Sequence, residues 1–177
     1  MIYIFFAPGF EESEAVVTLD LLRRAEIEVK SVSISGDKAV TGSHDISVIC
    51  DLSEGELDLS GLTGIVLPGG MPGTLNLEKS QTVRTATQHC ARSGLLIAAI
   101  CAAPSILGRM GLLAGKRYTC YPGFEQAIEG HYTGARTERD GNIITGKGPG
   151  CTTAFALEII RAIKGGQVAD KVEDNLQ

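Results

Sequence analysis

Cys101 is the residue of this chain best suited to nucleophilic chemistry. It follows the apolar run Leu95–Ile100 and precedes small residues and Pro104, a residue typical of the first turn of a helix. A turn between a strand and a helix places a side chain at the carboxyl edge of a sheet, where helix N–H groups favour negative charge. The pattern therefore favours a reactive thiolate. A buried structural cysteine is the alternative interpretation, because it is the commonest fate of a free cysteine.

Glu14 is a candidate acid–base partner for this thiol. On the helix predicted over Glu11–Ala25, Glu14 precedes Val17 and Leu21 by three and seven residues, so it lies on or beside an apolar stripe. Burial raises the pKa of a carboxyl group, and a protonated Glu14 would donate a hydrogen bond to a Cys101 thiolate. The alternative is a surface glutamate in the first turn of the helix.

A glycine-rich loop, Pro68–Gly73, directly follows the apolar strand predicted at Gly64–Leu67. Glycines let the backbone approach a ligand closely and direct N–H groups into a site, as an oxyanion hole requires. The loop lacks the G-K-[ST] and G-x-G-x-x-G patterns, so we expect no nucleotide cofactor. A tight turn after a strand is the alternative interpretation.

The elements that must position these residues alternate between strands and helices. Strands are predicted at residues 1–6, 27–33, 64–67, 95–100 and 117–119, with one or two short strands at 40–50 and a hairpin at 136–145 around Asp140-Gly141. Helices are predicted at residues 11–25, 80–93, 102–111 and 150–163. This order predicts an α/β fold, a mostly parallel sheet with helices on both faces and ligands at the carboxyl ends of strands.

Residues 1–166 are predicted to form a single domain, and residues 167–177 a polar C-terminal tail that frays. With 177 residues, 44% hydrophobic and 21% charged, the chain is long enough to bury a core without disulfides. Its net charge of −5 argues against nucleic acid or an anionic membrane as the main partner.

The cysteines indicate reduced thiols. Their number, five, is odd and they form no C-x-x-C pair, so neither a disulfide framework nor a structural metal site is expected. No apolar run approaches transmembrane length, and the N terminus lacks the pattern of a signal peptide. These observations predict a cytoplasmic protein.

The motifs taken together resemble the ThiJ/PfpI superfamily, in particular its Parkinsonism-associated deglycase branch. The resemblance covers nearly the whole chain and is carried by several blocks in the family order: Phe10–Glu14 (FEESE), Asp20–Ala25 (DLLRRA), Val66–Gly70 (VLPGG), Ala98–Pro104 (AAICAAP) and Asp140–Gly150 (DGNIITGKGPG). It implies a flavodoxin-like three-layer sandwich, usually assembled as a homodimer.

The resemblance also implies roles for individual residues. Cys101 corresponds to the reactive cysteine at a strained nucleophile elbow, and Glu14 to the carboxylic acid that hydrogen-bonds it. The N–H groups of Gly69, Gly70 and Ala102 correspond to a small oxyanion pocket. Activities known in the family include a glutathione-independent glyoxalase, a deglycase, redox sensing through cysteine oxidation and chaperone activity.

Two positions depart from the family pattern. Tyr121 stands where several active relatives have a histidine, and His44 where some have an arginine near the pocket. A phenol is a poor general base near neutral pH, so protease or amidase activity is not expected. Two hypotheses remain: an enzyme acting on small reactive aldehydes, in which Glu14 moves the proton, and a stress protein whose Cys101 is oxidised to a sulfinic acid with little turnover.

Overall fold

A seven-stranded sheet forms the centre of the structure, a computed structural model that describes residues 1–176. The strands are β1 (Ile2–Phe6), β2 (Val29–Ser33), β3 (Ala39–Thr41), β4 (Ser47–Ile49), β5 (Leu52–Ser53), β6 (Gly64–Leu67), β7 (Leu96–Ile100), β8 (Arg117–Tyr118), β9 (His131–Tyr132), β10 (Thr137–Asp140) and β11 (Ile143–Gly146). The helices are α1 (Glu12–Arg24), α2 (Gly73–Lys79), α3 (Gln81–Ser93), α4 (Pro104–Arg109), α5 (Thr152–Lys164) and α6 (Gly166–Asp174).

The large sheet has the order β10-β11-β7-β6-β1-β2-β5, and within it only β10 runs antiparallel to its neighbour. The β10–β11 hairpin forms around Asp140-Gly141, as predicted. Two further pairs, β3–β4 and β8–β9, lie outside this sheet. The predicted mostly parallel α/β architecture is confirmed.

Apolar residues cover both faces of the sheet, which is why its central strands are apolar throughout. On β1, Ile4 and Phe6 pack into one core with residues of α1 and α5, while Tyr3 and Phe5 pack into a second core with residues of α3 and α4. All five residues of β1 are buried. The chain therefore has three layers: helices, sheet and helices.

The three predicted site segments meet at one edge of the sheet because β1, β6 and β7 are neighbours. Parallel strands bring their carboxyl ends to the same edge, so the loops after Phe6, Leu67 and Ile100 lie together. Strand β1 pairs on one side with β2, the next strand along the chain, and on its other side with β6. Such a reversal of strand order opens a crevice in which α/β proteins bind ligands.

The C-terminal segment differs from the prediction. Instead of a fraying polar tail, Gly166–Asp174 forms helix α6, which packs against α5 and buries Ala169 and Val172 in the core. These two residues, spaced three apart, give α6 the narrow apolar stripe that a short amphipathic helix needs. Gln177 lies outside the described residues.

Two other helices differ in extent. Helix α2 was not predicted, because the glycines and prolines of residues 68–73 led to an expectation of a turn there. Helix α4 is six residues long and shorter than the expected span of 102–111. None of the helices in residues 1–176 combines the length and apolar character needed to cross a membrane.

Candidate active site

Cys101 occupies the turn between β7 and α4 with a backbone φ of +65°, in the left-handed region. A residue other than glycine rarely adopts this conformation, which costs on the order of 1–3 kcal/mol. Two hydrogen bonds hold it there: the Cys101 N–H donates to the Gly146 carbonyl at 2.9 Å, and the Tyr121 N–H donates to the Cys101 carbonyl at 2.8 Å. These two contacts therefore fix the strained turn, and Cys101 stays partly exposed.

Glu14 lies in the first turns of α1 and is completely buried. Its Oε2 atom accepts a hydrogen bond from the Gly69 N–H at 2.8 Å. Its Oε1 atom is buried without a hydrogen-bond partner among the described residues. Buried polar atoms normally have partners, so the unpartnered Oε1 is an unusual feature of this carboxyl group.

Burial raises the pKa of Glu14 to about 7, and hydrogen bonds from the Gly69 N–H and the Cys101 thiol only partly offset this. With Glu14 ionised, burial and the negative charge of Glu14 raise the pKa of Cys101 as well. The pair therefore accommodates one negative charge near neutral pH and resists a second. The six-residue helix α4 is too short to offset burial by its dipole, so the thiolate depends on a protonated Glu14.

Two backbone N–H groups stabilise negative charge on the sulfur. The N–H groups of Ala102 and Gly70 hydrogen-bond Cys101 and lower the pKa of its thiol. Gly69, expected in the same pocket, differs: its N–H donates to Glu14 instead. The reason is its place in the loop after β6, where the N–H faces Glu14 of α1.

Gly69 is also required for the close approach of Glu14 and Cys101. A Cβ atom at this position would lie 2.7 Å from the Cys101 Cβ, 2.8 Å from the Glu14 Oε2 and 3.1 Å from the Ile100 carbonyl oxygen. Real Cβ contacts are longer than the first two distances, so any larger residue would separate the pair.

Tyr121 borders the site through its backbone, and its side chain is 47% exposed. Its ring faces Gly148, where an added Cβ would be 3.1 Å from the ring, and it contacts Phe124 edge to face. Its hydroxyl makes no hydrogen bond within the part of the chain that the structure describes. Tyr121 therefore contacts the Cys101 turn through its backbone, while its ring packs toward Gly148 and Phe124.

His44 lies in a separate cluster with Glu11 and Glu12. The His44 Nδ1 is 2.8 Å from the Glu12 Oε2 and 3.7 Å from the Glu11 Oε2. Burial opposes ionisation of Glu12, but hydrogen bonds from His44 and Ser43 hold its pKa at about 2. The ligand atoms of Glu11, Glu12 and His44 lie within 4.8 Å of one another, a spacing that a metal ion could use, but they satisfy each other as an ion pair.

The other cysteines are less accessible than Cys101, except for the partly exposed Cys151. Burial raises the pKa of Cys50 to about 11 and the pKa values of Cys90 and Cys120 to about 12. No disulfide joins any of the five.

Sequence reasoning from the residues alone missed the role of the end of β11 and of the loop that follows it. Gly146 supplies the carbonyl that fixes Cys101, and an added Cβ there would lie 2.8 Å from Ile100 Cγ1. Gly148 makes room for the Tyr121 ring. The sequence signal for this role was the presence of three alternating glycines in residues 146–150 after an apolar strand. They lie at the carboxyl edge of the sheet, where the other site loops meet.

Comparisons with known proteins give a consistent result. The DJ-1/PfpI family model matches residues 1–162. The chain is 35% identical over 176 residues to the dj-1beta protein of Drosophila melanogaster, covering 98% of this chain and 94% of the relative. It is 31% identical over 158 residues to the glutathione-independent glyoxalase DJR-1.2 of Caenorhabditis elegans, covering 88% and 83%.

A solved structure shares the fold at similar identity. The crystal structure of a DJ-1 superfamily protein from Salmonella typhimurium superposes with a TM-score of 0.94 at 36% identity, covering 99% of this chain and 96% of the other.

The contact between Gly69, Glu14 and Cys101 predicts the effect of a single added methyl group. Gly69→Ala is expected to separate the carboxyl from the thiol and slow alkylation of Cys101 by iodoacetamide at neutral pH about tenfold. Gly61→Ala is the matched control, because no atom lies within 4 Å of a Cβ added there. Equal alkylation rates in the two variants would show that this contact does not control the thiol.

The raised pKa of Glu14 predicts a specific pH dependence of stability. The folded state holds this proton up to pH about 7, whereas the unfolded chain loses it near 4.5, so the contribution is complete below pH 4.5 and is lost as the pH rises to about 7. In Glu14→Gln this loss is absent. As the pH rises through this interval, the free energy of unfolding of Glu14→Gln relative to that of the wild type should therefore increase by about 1–3 kcal/mol.

Urea unfolding at a series of pH values measures this difference, with Glu129→Gln as a control for removing an exposed carboxylate. A difference between Glu14→Gln and the wild type that stays constant with pH would contradict the assignment.

Proposed function

Because this chain belongs to the DJ-1/PfpI family, we propose that it is a cysteine-dependent enzyme acting on small reactive carbonyl compounds, in the manner of a glutathione-independent glyoxalase or deglycase. One observation carries the proposal: a buried carboxyl group with a pKa of about 7 lies against a partly exposed cysteine that two N–H groups also contact. The glyoxalase relative supports the same substrate class.

In the first step, the Cys101 thiolate adds to the aldehyde carbon of a 2-oxoaldehyde such as methylglyoxal. A carbon–sulfur bond forms, and the carbonyl electron pair moves onto oxygen. The N–H groups of Gly70 and Ala102, which hydrogen-bond Cys101, are the donors that we propose for this oxyanion. Protonation gives a hemithioacetal.

In the second step, Glu14 moves a proton between two carbons. Its carboxylate removes the hydrogen from the hemithioacetal carbon, giving an enediol, and returns the proton to the neighbouring carbon. The product is a thioester of a 2-hydroxy acid. A group with a pKa near the working pH suits both directions of this transfer, and the unpartnered Oε1 gives it a free oxygen.

Hydrolysis completes the cycle. Water attacks the thioester carbon, the carbon–sulfur bond breaks, and the 2-hydroxy acid leaves as the thiol is restored. The thiolate is a good leaving group, so this step needs no strong proton donor. Cleavage of a peptide bond does need one for the amine, and Tyr121 does not provide it, so we propose no protease activity.

A second candidate function is redox response, and the distribution of the thiols favours it. Among the described cysteines only Cys101 and Cys151 are partly exposed. Oxidation of the Cys101 thiolate to a sulfinic acid requires peroxide but no proton relay. A protonated Glu14 would then donate to the new oxygens.

The proposed assembly is a homodimer. Val16 on α1 and Ile46 and Ile49 near the β3–β4 pair are exposed apolar side chains, and Ile49 is 83% exposed. The Ser43 N–H donates to the Phe10 carbonyl, so the β3–β4 turn lies against the start of α1 and these side chains belong to neighbouring elements.

A cytoplasmic location, with no nucleic acid or membrane partner, stays a prediction.

The test is turnover of methylglyoxal with detection of lactate. The wild type should produce lactate, Cys101→Ser should lose activity on the order of a thousandfold, and Glu14→Gln about a hundredfold. Cys151→Ser is the control and should retain activity. Tyr121→His should increase the rate, because it puts a base at the position where several active relatives have a histidine. Tyr121→Phe separates that effect from loss of the hydroxyl.

Full activity in Cys101→Ser would overturn the mechanism. No turnover in the wild type would instead favour the redox function, which predicts addition of two oxygen atoms to Cys101 alone on peroxide titration.

A further inference from the structure

A groove between α3 and α4 lies apart from the Cys101 site. Its cavity volume is about 390 Å³, within the range of small-molecule sites, and no residue of the candidate active site lines it. Four apolar residues line it: Leu77 of α2, Val83 of α3, Ile106 of α4 and Met110, which directly follows α4. The groove is thus large and apolar enough to hold an aliphatic or aromatic body.

Two arginines stand along one wall of this groove. Arg84, Gln88 and Arg92 follow one another at four-residue spacing on α3, so they share a helix face. Within residues 1–176, no carboxylate lies within 4.0 Å of Arg84 or Arg92, whereas Arg109 on the opposite wall pairs with Glu78 at 3.1 Å. The groove therefore carries two unpaired positive charges on a chain whose net charge is −5.

The separation of the two arginines restricts what they can bind together. Eight residues of helix place their backbones about 12 Å apart along α3. A single small anion forms strong hydrogen bonds with one guanidinium group and only weak ones with the other. A linear molecule with an anionic group at each end would engage both, since the arginine fork binds a carboxylate through two hydrogen bonds.

We propose that this groove binds a linear aliphatic dianion, with its carboxylate ends at Arg84 and Arg92 and its apolar body over Ile106 and Met110. The charges fix the two ends and the apolar lining accepts the chain between them. This site is independent of the function proposed for Cys101, because it shares no residue with it and its test requires no turnover.

The probe is decanedioate, a ten-carbon dicarboxylate of suitable length, titrated into the wild-type protein by isothermal calorimetry. We expect saturable binding with one site per chain. Butanedioate is too short to reach both arginines, decanoate has one charged end and decane-1,10-diol has none, so each should bind at least about tenfold more weakly.

Variants assign the site. Arg84→Gln and Arg92→Gln should each weaken decanedioate binding about tenfold, and Gln88→Glu should also weaken it by placing a negative charge between the two ends. Arg24→Gln, on α1 in the opposite helix layer, is the matched control and should bind like the wild type.

Three outcomes would overturn the proposal: no saturable binding of decanedioate at millimolar concentration, unchanged affinity in the Arg84→Gln/Arg92→Gln double variant, or equal affinity for decanoate. Thermal unfolding of each variant, which should match the wild type because the substituted residues are exposed, confirms that any loss of binding is local.

Discussion

The candidate site depends on one constraint: a buried corner at the sheet edge can hold one negative charge, and Glu14 and Cys101 share it. Full burial makes the Glu14 carboxylate unfavourable, and the same charge makes a thiolate beside it more unfavourable still. Protonating Glu14 removes that repulsion and provides a donor to the sulfur. The acid–base chemistry proposed for this site uses this shared proton.

The fold maintains this contact through close backbone approaches rather than through many side chains. Gly69, in the loop after β6, leaves no space for a Cβ between Glu14 and Cys101. Directly after β7, Cys101 adopts the left-handed region, and the Gly146 carbonyl and the Tyr121 N–H hold it in place. Since β1, β6 and β7 are adjacent and parallel, their three loops arrive at the same edge, and α1 brings Glu14 over it.

The sequence predicted the features that depend on local patterns. Apolar strand runs, the helical spacing of α1 and the Asp140-Gly141 turn gave the order of elements, and that order gave the edge where the site lies. The features that the sequence could not predict depend on tertiary contacts. The Gly69 N–H has its partner because α1 brings Glu14 to the loop after β6. The protonation state of Cys101 depends on the charge of Glu14, which is far away in the sequence. Likewise α6 forms because Ala169 and Val172 find a core to pack into, and its own residues indicate this only weakly.

The shared proton is tested most directly by the pH dependence of Cys101 alkylation in the wild type and in Glu14→Gln, followed at the Cys101 peptide by mass spectrometry. If the thiolate forms beside a protonated Glu14, the wild-type rate rises with an apparent pKa no higher than about 7, the value at which the pair loses its first proton. Glu14→Gln then moves this inflection to higher pH, because an amide is a weaker donor than a carboxylic acid. The opposite result is a wild-type inflection above the ordinary pKa range of thiols that moves to lower pH in Glu14→Gln. It would show that Glu14 holds the charge alone, and it would contradict the account.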